Sequence, residues 1–284
     1  MARAASGAVP DRGGRVPRDP HGRLSRAQGH PVRLWLYLRS ALFIGQMYLV
    51  MAVMALAWLP VVLTRPDGAS RAIRSYCRYV RWSARAICGL ASEVRGPVPQ
   101  GEVLIASKHQ SFFDIILLCS VLPAPKFIMK KELLRTPIVG WYATRIGCVP
   151  VDRGRKGRAV AQMIEGVNAG RGTRPGQLVI YPQGTRTAPG ADLPYKTGAA
   201  ILYEQLSEPC VPVATNVGVF WPRSGLRRSP GLGVVEFLEP IAPGLDREAF
   251  IEELRDRIET RSDALMAEAG WTAPLPPPAR DPAP

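Results

Sequence analysis

The stretch EVLIASKHQSFFDIILLCSVL, residues 102–122, changes character at its centre. Its first six residues, EVLIAS, form a short apolar run of the kind a strand covered on both faces requires. Its last eleven, FFDIILLCSVL, are apolar nearly throughout and predict a helix. Lys108-His109-Gln110 lies between them. A strand, a short polar loop and a helix, in that order, begin a β-α-β unit.

The alternation continues downstream. KFIMK (126–130), CVPVDR (148–153), QLVIYPQG (177–184), CVPVATNVG (210–218) and GVVEFLEPI (233–241) read as further strands. A short helix in RTPIVGWYATRIGC, one over 157–170, one in AAILYEQLSE and a last one from Arg247 to Ala269 fall between or after them. Asp246 is placed to cap the last helix, whose apolar face is Phe250, Ile251, Leu254, Ile258, Leu265 and Met266. This order implies an α/β domain over 93–270, with a mixed, partly parallel sheet flanked by helices.

The first 92 residues differ. The chain carries +14 overall, but residues 1–92 hold 14 arginines, no lysine and three acids, while the rest is nearly balanced. Nucleic acid is not the expected partner, because the basic excess lies off the α/β domain and accompanies a membrane signal. Residues 1–30, rich in Gly, Pro and Arg, are expected to be a disordered basic head, and the Pro-rich 271–284 a disordered tail. Within 31–92, the uncharged run SALFIGQMYLVMAVMALAWLPVVLT (40–64) is long enough to cross a bilayer. Pro60 is placed to kink or end it. A second helix is predicted over 71–91. Arg71, Arg74, Arg78, Arg81 and Arg85 form one stripe, and Ile73, Tyr76, Val80, Ala84 and Ile87 the opposite one. A basic amphipathic helix of this kind suits an anionic membrane interface. The pair reads as a membrane anchor. Five dispersed cysteines, with no paired spacing, point to reduced thiols, and no metal-ligand cluster is visible.

His109 and Asp114 are the first candidates for chemistry. Residues five apart on one helix are rotated by about 140° and share no face. The pair can meet only if His109 precedes the helix and Asp114 lies in its first turn. The helix dipole there disfavours imidazolium, and a carboxylate on one ring nitrogen orients the other as a base. The alternative is a core histidine with satisfied nitrogens. No GxSxG elbow is present, and Lys196-Thr197 lacks P-loop spacing. YPQGTR (181–186) offers Arg186 beside a glycine turn, suited to phosphate. Lys130 and Lys131 follow a strand, and Asp152 and Arg153 end another, followed by Arg155, Lys156 and Arg158. Each of these groups also reads as an ordinary solvated surface.

In order and spacing, KHQSFFD, KKEL with its following GW, VPVDR, YPQGTR and CVPVA resemble the 1-acylglycerol-3-phosphate acyltransferase family, over roughly 90–240. The resemblance implies an acyltransferase domain in which His109 is the base and Asp114 its orienter. It assigns phosphate binding to Arg186 and Lys130, loop shaping to Gly184 and Thr185, and acceptor binding to Asp152 and Arg153. The expected reaction is acyl transfer from acyl-CoA or acyl carrier protein, as co-substrate, to the sn-2 hydroxyl of lysophosphatidate, giving phosphatidate. No metal or bound organic cofactor is implied. The implied location is the inner membrane, with the catalytic domain on the cytoplasmic face. Three residues depart from the pattern. In YPQGTR, Tyr181 stands where the family commonly has Phe and Gln183 where it has Glu, and Lys108 stands where Asn is frequent. The rival readings are the same transfer to another lysolipid, such as a lyso-ornithine lipid, and a non-catalytic basic membrane-binding protein.

Overall fold

The structure, a computed structural model, describes residues 30–152, 156–170 and 175–272. The head up to residue 29, Arg153, Arg155 and the tail from 273 lie outside the described residues. The chain forms α1 (His30–Ala57), α2 (Leu59–Thr64), α3 (Gly68–Ser83), β1 (Leu90–Arg95), β2 (Val103–Ser107), α4 (Phe113–Val121), β3 (Lys126–Lys130), α5 (Val139–Arg145), β4 (Val149–Val151), α6 (Lys156–Gly170), β5 (Gln177–Ile180), α7 (Gly198–Leu206), β6 (Cys210–Thr215), β7 (Gly231–Phe237) and α8 (Arg247–Glu268).

One mixed sheet holds the seven strands in the order β1-β7-β6-β2-β5-β3-β4. Every pairing is parallel except β6 with β7. The central strand β2 is buried at all five residues, which is why its sequence is continuously apolar. Its side chains alternate between faces. Val103 and Ile105 join Phe113 and Leu117 of α4 and Val80 of α3. Leu104 and Ala106 join Ala199 and Leu202 of α7 and Phe250 and Leu254 of α8. The sheet is therefore covered on both sides. Each fully buried Leu or Phe in these layers contributes about 1.5–3 kcal/mol.

The order of the strands places the site. From β2 the chain turns to α4 on one face, and from its neighbour β5 it turns to α7 on the other. Adjacent parallel strands whose exits diverge leave a crevice at their carboxyl ends, the usual ligand position in such sheets.

The N-terminal segment breaks beside Pro60, as its sequence allowed, and differs from its expected form in two respects. The run 40–64 ends as two helices, α1 and α2. Pro60 lacks an N–H and cannot continue α1, but it sits at no cost in the first turn of α2. Gly68 lets α3 begin against α2, since a Cβ there would lie 2.4 Å from the Val61 carbonyl. The helix expected over 71–91 stops earlier, and its last residues enter β1, an edge strand paired with β7. The arginine stripe is also largely engaged within the protein. Arg74 donates to the carbonyls of Leu122 (3.2 Å) and Pro123, Arg78 to that of Ser120 (3.4 Å), and Arg81 to the Ser120 hydroxyl (3.0 Å). These are the end of α4 and the residues just after it, where orphan carbonyls and the negative pole of the helix favour cations. Of the stripe, Arg71, Arg78 and Arg85 are exposed.

Leu34–Ala57 is apolar and long enough to cross a membrane. Within it, Ser40, Phe43 and Met47 are buried against the domain, while Leu38, Leu42, Leu49, Val53 and Leu56 on other sides are exposed.

Candidate active site

His109 lies in the loop between β2 and α4, and Asp114 is the second residue of α4. The rotation argument required this arrangement. His109 Nδ1 and Asp114 Oδ1 are 2.9 Å apart. Asp114 Oδ2 accepts the backbone N–H groups of Gln110 (2.9 Å) and Ser111 (2.8 Å). The carboxylate thus folds the loop that carries His109 and orients its ring in one contact set. Asp114 has 0% side-chain exposure and His109 14%. Below, the His109 ring stacks on Tyr181 with centroids 3.9 Å apart. The Tyr181 hydroxyl points to Asp114 Oδ1 at 3.4 Å. Burial first, and then the Asp114 charge, hold that phenol well above its ordinary value, so it remains a donor. The His109 carbonyl accepts the N–H (2.7 Å) and hydroxyl (3.2 Å) of Thr187, which ties the loop after β2 to the loop after β5.

His109 borders a cavity of about 520 Å³. Its walls are mainly apolar, with Met51 and Met54 from α1, Ile73 and Tyr76 from α3, and Ile116 from α4 among them. Its charged and polar lining includes His109, Lys130, Thr185, Arg186 and Arg223, all from segments at or beyond the carboxyl ends of β2, β3, β5 and β6. The lining thus joins three cationic side chains to a mainly apolar wall, a combination that suits an amphiphile with an anionic head.

The structure brings together His109, Asp114, Lys130, Thr185 and Arg186 of the sequence candidates. Lys130 pairs with Glu132 at 3.4 Å and stays half exposed. Arg186 donates to the Arg223 carbonyl at 3.1 Å. Gly184, at φ +68°, turns the chain so that its N–H reaches the Tyr181 carbonyl at 2.8 Å. Asp152 is not among the cavity-lining residues; it follows β4 at the sheet edge, and its N–H reaches Gln162 Oε1 at 3.3 Å. Arg153 lies outside the described residues. Phe112 lines the cavity, but Phe113 is buried in the core against Trp221.

Gln183 does not reach Arg186. Its Nε2 donates to Glu259 Oε1 at 3.3 Å. The same oxygen accepts the Tyr195 hydroxyl at 2.9 Å, and Oε2 pairs with the ammonium of Lys108. Lys108 is 3% exposed. Two of the three residues that depart from the family pattern therefore meet on one carboxylate from α8, while the third, Tyr181, faces Asp114. Sequence reasoning missed Glu259 and Arg223. Glu259 lies on α8 beside an otherwise apolar face, and Arg223 has no signal beyond a Pro-Arg-Ser-Gly turn.

Known proteins resemble this chain over most of its length. The Acyltransferase family model matches residues 91–216. A 1-acyl-sn-glycerol-3-phosphate acyltransferase of Pseudomonas aeruginosa is 28% identical, over 81% of this chain and 91% of its own length. The human 1-acyl-sn-glycerol-3-phosphate acyltransferase beta is 33% identical, over 72% and 74%. The crystal structure of the 1-acyl-sn-glycerophosphate acyltransferase of Thermotoga maritima superposes with a TM-score of 0.68, at 20% identity, over 86% of this chain and 99% of that one. That likeness carries the fold.

Proposed function

Because the chain belongs to the 1-acyl-sn-glycerol-3-phosphate acyltransferase family, we propose that it transfers an acyl group from an acyl thioester to the sn-2 hydroxyl of lysophosphatidate. The observation that carries the reading is the His109–Asp114 pair at 2.9 Å, on the wall of an apolar cavity that also presents Lys130 and Arg186.

The Nδ1–H of His109 donates to Asp114, which leaves the Nε2 lone pair for substrate. His109 Nε2 takes the proton of the sn-2 hydroxyl as that oxygen attacks the thioester carbonyl carbon. The tetrahedral intermediate collapses with cleavage of the carbon–sulfur bond. The thiolate leaves and takes the proton from His109. Asp114 steadies the imidazolium between these steps. Arg186 and Lys130 hold the phosphate, so that the hydroxyl is delivered to His109 rather than found by collision. Gly184 and Thr185 shape the phosphate loop, and Gln183 braces it from behind through Glu259.

The proposal includes a membrane location, with the active site on the cytoplasmic face of the inner membrane. The apolar Leu34–Ala57 helix and its bare side chains support it, because both substrates carry acyl chains. The test is an assay of purified protein with lysophosphatidate and a panel of donors, acyl-CoA and acyl carrier protein included, wild type beside His109→Ala. Turnover by wild type, lost by more than 10³-fold in the variant with membrane association retained, is expected. Equal rates for the two proteins would refute the catalytic reading. Turnover of a lyso-ornithine lipid in preference to lysophosphatidate would refute the acceptor.

A further inference from the structure

We propose that Arg223 determines acceptor specificity as a second guanidinium that, with Arg186, grips the phosphate monoester; the inference rests on the lysophosphatidate reading above. Arg186 and Arg223 are 37 residues apart yet locked together. Arg186 Nη1 donates to the Arg223 carbonyl at 3.1 Å, and Arg223 Nη1 donates to the Arg186 carbonyl at 3.3 Å. Both line the cavity that His109 borders. Among the described residues neither forms an ion pair with a carboxylate. Each bond runs from one side chain to the other residue's backbone and uses a single N–H, so both forks keep N–H groups with which to take a dianion in the cavity.

The loop that carries Arg223 is anchored to the catalytic helix. Trp221, two residues earlier, is buried and stacks on Phe113 at 5.3 Å, with Phe43 of α1 edge-on at 5.4 Å. Phe113 is the first residue of α4 and the neighbour of Asp114. Arg228 covers the Trp221 ring at 4.4 Å, and its N–H bonds to the Ser40 hydroxyl at 2.9 Å. The guanidinium of Arg223 thus stems from a loop anchored to the helix that orients the base. A phosphate monoester carries about −1.5 to −2 at neutral pH, whereas a phosphodiester carries about −1. A second fork matches the extra charge and the extra free oxygens of the monoester, so Arg223 separates lysophosphatidate from lysolipids with a diester head.

Arg223→Ala and Arg223→Lys, in the full chain, are assayed with 1-oleoylglycerol 3-phosphate and with a 1-oleoyl glycerophosphodiester, the latter as acceptor or as competitive inhibitor. Arg223→Ala raises KM for the monoester about tenfold, with kcat within threefold and the donor KM unchanged. Arg223→Lys recovers part of the loss, because it restores a point charge without the fork. The KM or Ki of the diester moves less than threefold. A monoester KM within twofold of wild type, an equal rise for both headgroups, or a rise in the donor KM instead would each overturn the inference. Absence of wild-type turnover on lysophosphatidate would remove the underlying reading and this inference together. Normal wild-type turnover beside an unmoved Arg223→Ala would remove this inference alone.

Discussion

Replacement of Asp114 by Asn tests the catalytic pair without changing its shape. Asp114 serves two sets of donors at once. Oδ2 accepts two backbone N–H groups at 2.9 and 2.8 Å, and Oδ1 faces His109 Nδ1 at 2.9 Å. An amide has only one acceptor oxygen. That oxygen stays with the two N–H groups of Gln110 and Ser111, because the alternative points an NH2 at two donors. The NH2 then faces His109 Nδ1, which must accept. The imidazole proton moves to Nε2, the nitrogen that faces the substrate, and the base is lost. Flipping the amide to recover the base leaves two buried donors unsatisfied, at about 1–3 kcal/mol each. The productive arrangement thus falls by roughly 30- to 10⁴-fold, at about 1.4 kcal/mol per decade. Loss of the charge that steadied the imidazolium adds to this. The expected result is a drop of at least about 10³ in kcat/KM. The acceptor KM changes little, because Lys130 and Arg186 are untouched. The backbone bonds of the loop survive on the amide oxygen and only the long Tyr181 contact to Oδ1 is lost, so the melting temperature falls modestly. Steady-state kinetics on purified protein, with a thermal melt beside them, decide the matter. A variant with more than a tenth of wild-type kcat/KM and an unchanged melt would refute the tautomer argument.

Two further perturbations address the Lys108–Glu259 pair. Glu259→Gln leaves the ammonium of Lys108, 3% exposed, with an amide oxygen and the charge of Asp263 in place of its carboxylate, and is expected to cost about 1–3 kcal/mol in urea unfolding. The double change Lys108→Met with Glu259→Gln recovers most of that loss, and a double variant as unstable as the single would show the pair is not the cause. Gln183→Glu sets a second carboxylate against Glu259, so it is expected to lower the unfolding midpoint, and an unchanged midpoint would sink the shared-carboxylate argument.

The sequence displayed the centre of the molecule better than its margins. β2 is covered on both faces, so its residues had to be apolar, and the helix after it had to begin beyond His109 for the histidine to meet Asp114. β1 was hidden for the opposite reason. It is an edge strand, largely half exposed, and it follows a helix whose apolar spacing runs on to Ile87. Only its pairing with β7, some 140 residues away, makes it a strand. The arginine stripe on α3 was visible as a stripe, but its partners, the carbonyls around the end of α4, come from another part of the chain. Helical periodicity states which residues share a face and is silent on what that face meets. Arg223 is a parallel case. Its position depends on Trp221 packing against Phe113, a contact across more than a hundred residues.

Lys108 and Gln183, read singly, looked like two unrelated departures from the family pattern. On the structure they are one. A buried lysine beside His109 needs an anion, and the loop residue that could have supplied it is neutral. Glu259 supplies it from α8, beyond the segment that matches the family model, and uses its other oxygen to hold Gln183 and Tyr195. Burial and the Glu259 charge keep the Tyr195 phenol protonated, so it acts as a donor here. The carboxylate has three partners: one from the loop after β2, one from the loop after β5 and one from the start of α7's approach. Those two loops carry His109 and Arg186. A single side chain on the last helix therefore holds the His109 loop and the Arg186 loop in register, and with them the proposed base and phosphate site. A change at any one of the three positions has to be judged with the other two in place, because each sets the charge the others see.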